Sequence, residues 1–225
     1  MWMMRKALKG LILVVACGLL AATASADAFV PCSELAGTSV NSQAGNACVV
    51  LDKLFQFTAA SSDSVDIGGS LNSPIGLTFF GSPVMTSGPV DIEFEVTVLN
   101  PLNGNPNSAT ISLFDISSLV NQSGSGSLGG TVNLCVGGDG FDGLFAGSDD
   151  GCAANGGSSS SIGLSSSNMF AFSPTTTEVA VWDHITINSG AGFGSLGQTF
   201  TQVPEPSSMF LIGSVLGLFA RRWFK

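Results

Sequence analysis

Tyrosine is absent from the 225 residues, histidine occurs once, and lysine and arginine together number only 7. So little positive charge leaves no basic face to neutralise phosphates, which excludes nucleic acid as a partner. Charged residues of both signs make up 10% of the chain against 44% hydrophobic, the reverse of a disordered polymer's composition. No pair of cysteines has the Cys-x-x-Cys spacing and the only histidine, His184, lies far from them, so a structural zinc site is also excluded. What is present is unevenly placed. Arg5, Lys6 and Lys9 stand at one end and Arg221, Arg222 and Lys225 at the other. Residues 27–220 hold all 16 acids and a single base, Lys53, so this body carries a charge of −15. Such a body stays soluble, repels polyanions and attracts cations.

Both ends read as targeting segments. Arg5, Lys6 and Lys9 precede an apolar run from Leu11 to Ala22, and Ala24-Ser25-Ala26 supplies the small residues of a cleavage site. This layout predicts a signal peptide over residues 1–26, helical in its apolar part and cleaved before Asp27. Val14-Val15-Ala16-Cys17 fits the rival pattern of a lipoprotein signal, but the sequence stays apolar after Cys17, where a lipoprotein turns polar. At the other end Pro204-Glu205-Pro206 is followed by an apolar run from Met209 to Ala220 and then by Arg221-Arg222. Those twelve apolar residues reach about 18 Å as a helix, against a hydrocarbon core of about 30 Å. A short transmembrane helix over 207–220 is expected, with the arginines on the cytoplasmic side and the body outside.

This tail resembles that of PEP-CTERM proteins of exopolysaccharide-producing Gram-negative bacteria: a Pro-Glu-Pro motif, a short apolar helix and a terminal arginine cluster on a chain with a secretion signal. The resemblance covers residues 203–225. It implies that Pro204, Glu205 and Pro206 are the recognition motif of a membrane enzyme, exosortase, that Arg221 and Arg222 act as a stop signal, and that the chain is cleaved near the motif. An inner-membrane-anchored precursor and a mature protein at the cell surface or outside the cell follow, with exopolysaccharide as a partner.

The body carries the period of strands. Val90 to Val98 is apolar at every even position and polar between, a pattern that a strand sorts onto two faces and a helix cannot. Val179 to Ile187 alternates too, except that Asp183 breaks the inward row. Shorter candidates are 49–57, 75–80, 109–114, 131–136, 161–164, 169–172 and 198–203, separated by Gly, Ser, Pro and Asn clusters. The first of these also fits a helical turn. Many short strands between turn signals predict an all-β antiparallel sandwich, jelly-roll or Ig-like, over residues 27–189. Serine-rich 156–161 and 165–167 read as exposed loops, and glycine-rich 190–202 as a flexible spacer.

Signal removal leaves Cys32, Cys48, Cys135 and Cys152, which export makes available for disulfides. Three pairings are open; the local one, Cys32 with Cys48 and Cys135 with Cys152, closes two short loops and is favoured. Residues 137–145 satisfy the nonapeptide of calcium-binding β rolls once. Asp139, Asp142, Asp149 and Asp150 would crowd four negative charges in one loop, so the alternatives there are a solvated acidic loop and a calcium site. Asp91, Glu93 and Glu95 share one strand face about 7 Å apart, read as a solvated outer row. Two such carboxylates would also suit a glycoside hydrolase. Trp182, the one tryptophan of the body, reads as a core or half-buried residue, with a glycan contact as the alternative if it is exposed, and His184 beside it reads as a surface histidine.

These features predict a non-enzymatic, surface-sorted protein of the polysaccharide matrix, needing no cofactor unless calcium binds. The alternatives are a carbohydrate-binding module and a polysaccharide hydrolase.

Overall fold

The computed structural model describes residues 29–72, 75–99, 109–123, 125–137, 152, 156–165 and 168–203. The signal segment and the sorting tail, with the helices expected in them, lie outside the described residues. Twelve strands are described: β1 (Val30–Pro31), β2 (Ala47–Val50), β3 (Lys53–Ala60), β4 (Val65–Asn72), β5 (Ile75–Met85) and β6 (Pro89–Val98) come first. They are followed by β7 (Thr110–Asn121), β8 (Leu128–Val136), β9 (Ser158–Gly163), β10 (Met169–Thr176), β11 (Glu178–Ile187) and β12 (Phe193–Val203). Seven form one sheet in the order β1-β2-β3-β6-β11-β8-β9, and five the other in the order β10-β7-β12-β5-β4. Pairing is antiparallel except between β1 and β2. The chain is therefore an all-β sandwich. It shares two packed layers with jelly-roll and Ig-like sandwiches but has more strands than either.

The core forms where the inward rows meet. From the seven-stranded sheet come Phe55 and Phe57, then Val90 through Val98 at even positions, then Val179, Val181 and Ile185; the other sheet contributes Leu77, Phe79, Phe114, Leu196 and Phe200. Phe200 of β12 is the hinge of this packing, with ring centroids 5.9 Å from Phe55, 6.5 Å from Phe94 and 5.4 Å from Phe114. Tilted and edge-on aromatic pairs of this kind bury large areas and add about 0.5–1.5 kcal/mol each beyond area alone.

Three sequence expectations are corrected. The spacer expected over 190–202 is instead largely β12, the middle strand of the five-stranded sheet. Its glycines serve close packing: a Cβ on Gly194 would stand 2.9 Å from the Val120 carbonyl oxygen, and one on Gly197 would lie 2.5 Å from Ser118 Oγ. Glycine there admits the irregular pairing with β7, whose register shifts between Phe193 and Ser195 and between Gly197 and Gln198. The serine-rich loop at 156–161 is mostly β9, an edge strand whose polar side chains suit an exposed sheet margin. The single segment 49–57 is a hairpin, β2 and β3, turning at Leu51-Asp52 with Leu51 at a φ of 56°. Strand β4 has too short an alternation, Val65-Asp66-Ile67 before Gly68-Gly69, to stand out in the sequence.

Candidate functional site

Strand β12 ends at Val203, and the sorting segment continues directly from it, so the middle strand of one sheet delivers the tail. Pro204, Glu205, Pro206, Arg221 and Arg222 lie outside the described residues, as do Asp139, Asp142, Asp149 and Asp150. Among the described residues no helix is long and apolar enough to cross a membrane, and no three His, Cys, Asp or Glu side chains are grouped to hold a metal.

Two disulfides tie the sandwich. Cys32–Cys48 has Cα atoms 4.8 Å apart and fastens the short helical turn after β1 to β2. Cys135–Cys152, with Cα atoms 5.6 Å apart, closes the loop after β8. Cys135, Cys152 and Ala180 form a small apolar cluster of their own. Cys135 and Ala180 are cross-strand partners, which puts this disulfide over the outer face of the seven-stranded sheet.

That outer face is more enclosed than the sequence suggests. Asp91 and Glu93 are only 7% and 5% exposed, because β6 is an interior strand between β3 and β11, so they are not a solvated row. Trp182 is 7% exposed and is not an open stacking platform. Its Nε1–H donates to Asp91 Oδ1 at 3.2 Å, and the same oxygen lies 2.7 Å from His184 Nδ1. The indole and imidazole are therefore oriented by one buried carboxylate, with centroids 6.1 Å apart. The His184 side chain alone of these reaches solvent appreciably, at 39% exposure. Across β11 from Glu93 stands Asn133 on β8, buried, with neither amide atom hydrogen-bonded among the described residues.

On the inner face, the polar interruption at Asp183 is matched by one on the opposite sheet. Gln198 of β12 donates from Nε2 to Asp183 Oδ1 at 2.6 Å, a hydrogen bond that crosses the core with both residues fully buried. Burial pushes the Asp183 carboxyl up to about 8; the Gln198 hydrogen bond opposes this and the nearby Asp91 charge adds to it. Asp183 is accordingly a neutral acid at pH 7. Asp183 Oδ2 and Gln198 Oε1 have no hydrogen-bond partner among the described residues.

A second polar crossing closes one end of the core. The fully buried Lys53 side chain donates from Nζ to Gln202 Oε1 at 2.9 Å and to Asp52 Oδ1 at 3.1 Å. A cavity of about 310 Å³ adjoins this corner, lined by Asn72, Ile75 and Phe200 as well as the three polar residues. Burial lowers the Lys53 pKa, against the Asp52 charge and hydrogen bond, which raise it. Gln198 and Gln202 were not marked by sequence reasoning. The available signal was the polar insertion at both positions of an otherwise apolar inward row, Leu196, Gln198, Phe200, Gln202.

These observations define an all-β, disulfide-tied sandwich whose middle strand runs straight into a C-terminal sorting segment. Residues 202–222 match the family model described as the PEP-CTERM protein-sorting motif. The tail is a PEP-CTERM sorting motif, and it implies export with sorting to the cell surface and an exosortase as partner. No curated protein and no solved structure is significantly similar to the chain.

Proposed function

We propose that the chain is a structural, non-enzymatic protein of the extracellular polysaccharide matrix, exported as a precursor and cut by exosortase near Pro204-Glu205-Pro206. The observation that carries this reading is the continuity of β12 with the sorting motif: the last described strand ends at Val203, inside the 202–222 match. A Pro-Glu-Pro sequence disfavours helix, because proline fixes φ and lacks an N–H, and a protease binds extended chain. The cargo itself suits life outside the cell, since two disulfides tie it and its charge of −15 over residues 27–220 holds it soluble.

The test compares cells with and without exosortase. Processed protein lacking the tail is expected outside cells that have the enzyme, and tail-bearing precursor in the membranes of those that lack it. A variant with Pro204, Glu205 and Pro206 all changed to Ala should behave as the enzyme-free case does. Identical processing in all three overturns the sorting role. Co-sedimentation of the product with purified matrix polysaccharide, against an unrelated acidic exported protein, tests the matrix role; equal recovery of the two defeats it.

A further inference from the structure

Lys53 is the only lysine or arginine between residues 10 and 220, yet it is buried completely and spent on neighbours within its own chain. Its position is the last inward one at the start of β3, and Gln202 holds the last inward one at the end of β12. The two strands belong to different sheets, and Phe55 and Phe200, two residues further in, pack at 5.9 Å. An amine is thus held on a carboxamide separated from it by 149 residues of sequence, with a carboxylate on the same nitrogen. With Nζ 2.9 Å from Oε1 and a C=O bond of about 1.2 Å, the amide carbon lies within about 4 Å of the nitrogen. A small rotation of the Gln202 amide brings it to the separation at which addition begins.

We infer that Lys53 and Gln202 are joined by an amide bond formed by the protein itself, with Asp52 as its acid and base. The reactive form is the neutral amine, favoured by burial once the ammonium has given its proton to solvent. The Nζ lone pair adds to Gln202 Cδ, and the carbonyl π electrons move to Oε1. The Asp52 carboxylate takes the proton that the new C–N bond makes acidic. As the tetrahedral centre collapses, the Cδ–Nε2 bond breaks and protonated Asp52 returns that proton to the departing nitrogen, which leaves as ammonia. One primary amide and one amine become one secondary amide and ammonia, so no oxidant, metal or energy source is needed. The adjoining cavity gives ammonia a way out, and its protonation in water draws the exchange forward. The bond ties the two sheets together at the corner where the sorting tail departs.

The chain's composition makes the test simple. After removal of the targeting ends, Lys53 is the one site that trypsin can cut. The protein, purified after export with its disulfides formed, is weighed intact, then denatured, reduced and digested. The expected product is lighter than its sequence by one ammonia, resists cleavage after Lys53, and yields a branched peptide joining residues 53 and 202 with a second protease. Full mass together with cleavage after Lys53 overturns the proposal, and this needs no variant. Lys53→Arg and Asp52→Asn should each retain the ammonia. The same mass deficit in Lys53→Arg assigns it elsewhere and overturns the proposal too. The processing experiment above is read at the tail, so the two readings fail independently.

Discussion

Replacing Asp183 with asparagine should make this protein more stable at neutral pH, and the gain should vanish in acid. The carboxyl group sits between the sheets with its pKa raised to about 8, whereas in the unfolded chain it returns to about 3.9. Between those values the folded state binds a proton that the unfolded state has released, so stability falls as pH rises, by up to about 1.4 kcal/mol per pH unit. The contribution is fully present below about pH 4 and lost as pH climbs towards 8, where the folded carboxyl also ionises and the slope flattens. At pH 7 the accumulated loss is about 4 kcal/mol. Asparagine is nearly isosteric, still accepts the Gln198 hydrogen bond and has no proton to lose. Asp183→Asn should therefore gain about 3 kcal/mol at pH 7, that loss less about 1 kcal/mol for one extra buried N–H, or roughly 6–12 °C in melting temperature for a domain of this size. At pH 4 the two proteins should differ by about 1 kcal/mol, the cost of one extra buried N–H. Urea denaturation at intervals from pH 4 to 9, disulfides intact, measures the difference directly. Parallel profiles for the two proteins would show that the carboxyl does not titrate from a buried, protonated state.

Changing Gln198 to Leu strips Asp183 of its one hydrogen-bond donor and should cost about 1–3 kcal/mol at pH 5, read as a lower urea midpoint; the Asp183→Leu, Gln198→Leu double variant should recover most of it. Phe200→Ala, at the meeting point of Phe55, Phe94 and Phe114, should cost about 3–5 kcal/mol in the same assay. Cys32→Ser with Cys48→Ser opens a loop of sequence separation 16 and should cost about 3 kcal/mol. Trp182→Phe removes the indole donor to Asp91 and should cost about 1 kcal/mol beyond its packing loss, a deficit absent when Asp91 is already Ala.

The parts of this fold that were legible in the sequence are those with a clean period. Val90–Val98 and Val179–Ile187 announced β6 and β11 because apolar residues recur along their inward rows at every second position, interrupted only at Asp183. The second half of strand β12 was legible as the candidate at 198–203, but its start was hidden because glycines that let it lie close against β7 also look like a linker, and composition does not distinguish the two. Burial of Asp91 and Glu93 was illegible for a different reason: alternation says which face a residue is on, not whether that face is covered. The polar crossings were half visible. Asp183 stood out as a break in its row, but its partner, and the pairing of Lys53 with Gln202, depend on how two sheets meet. The sorting tail, by contrast, is local in sequence and was readable at once.

Strand β12 also determines how the protein would respond to being pulled by its tail. Its ladder to β7 runs the length of the strand, from Phe193 opposite Asn121 to Val203 opposite Thr110, and β5 holds its other side. Those hydrogen bonds lie across the strand direction. A tug on Val203 along the strand axis therefore strains the whole ladder sideways at once, a shearing load shared by many bonds, rather than peeling them apart one after another like a zip.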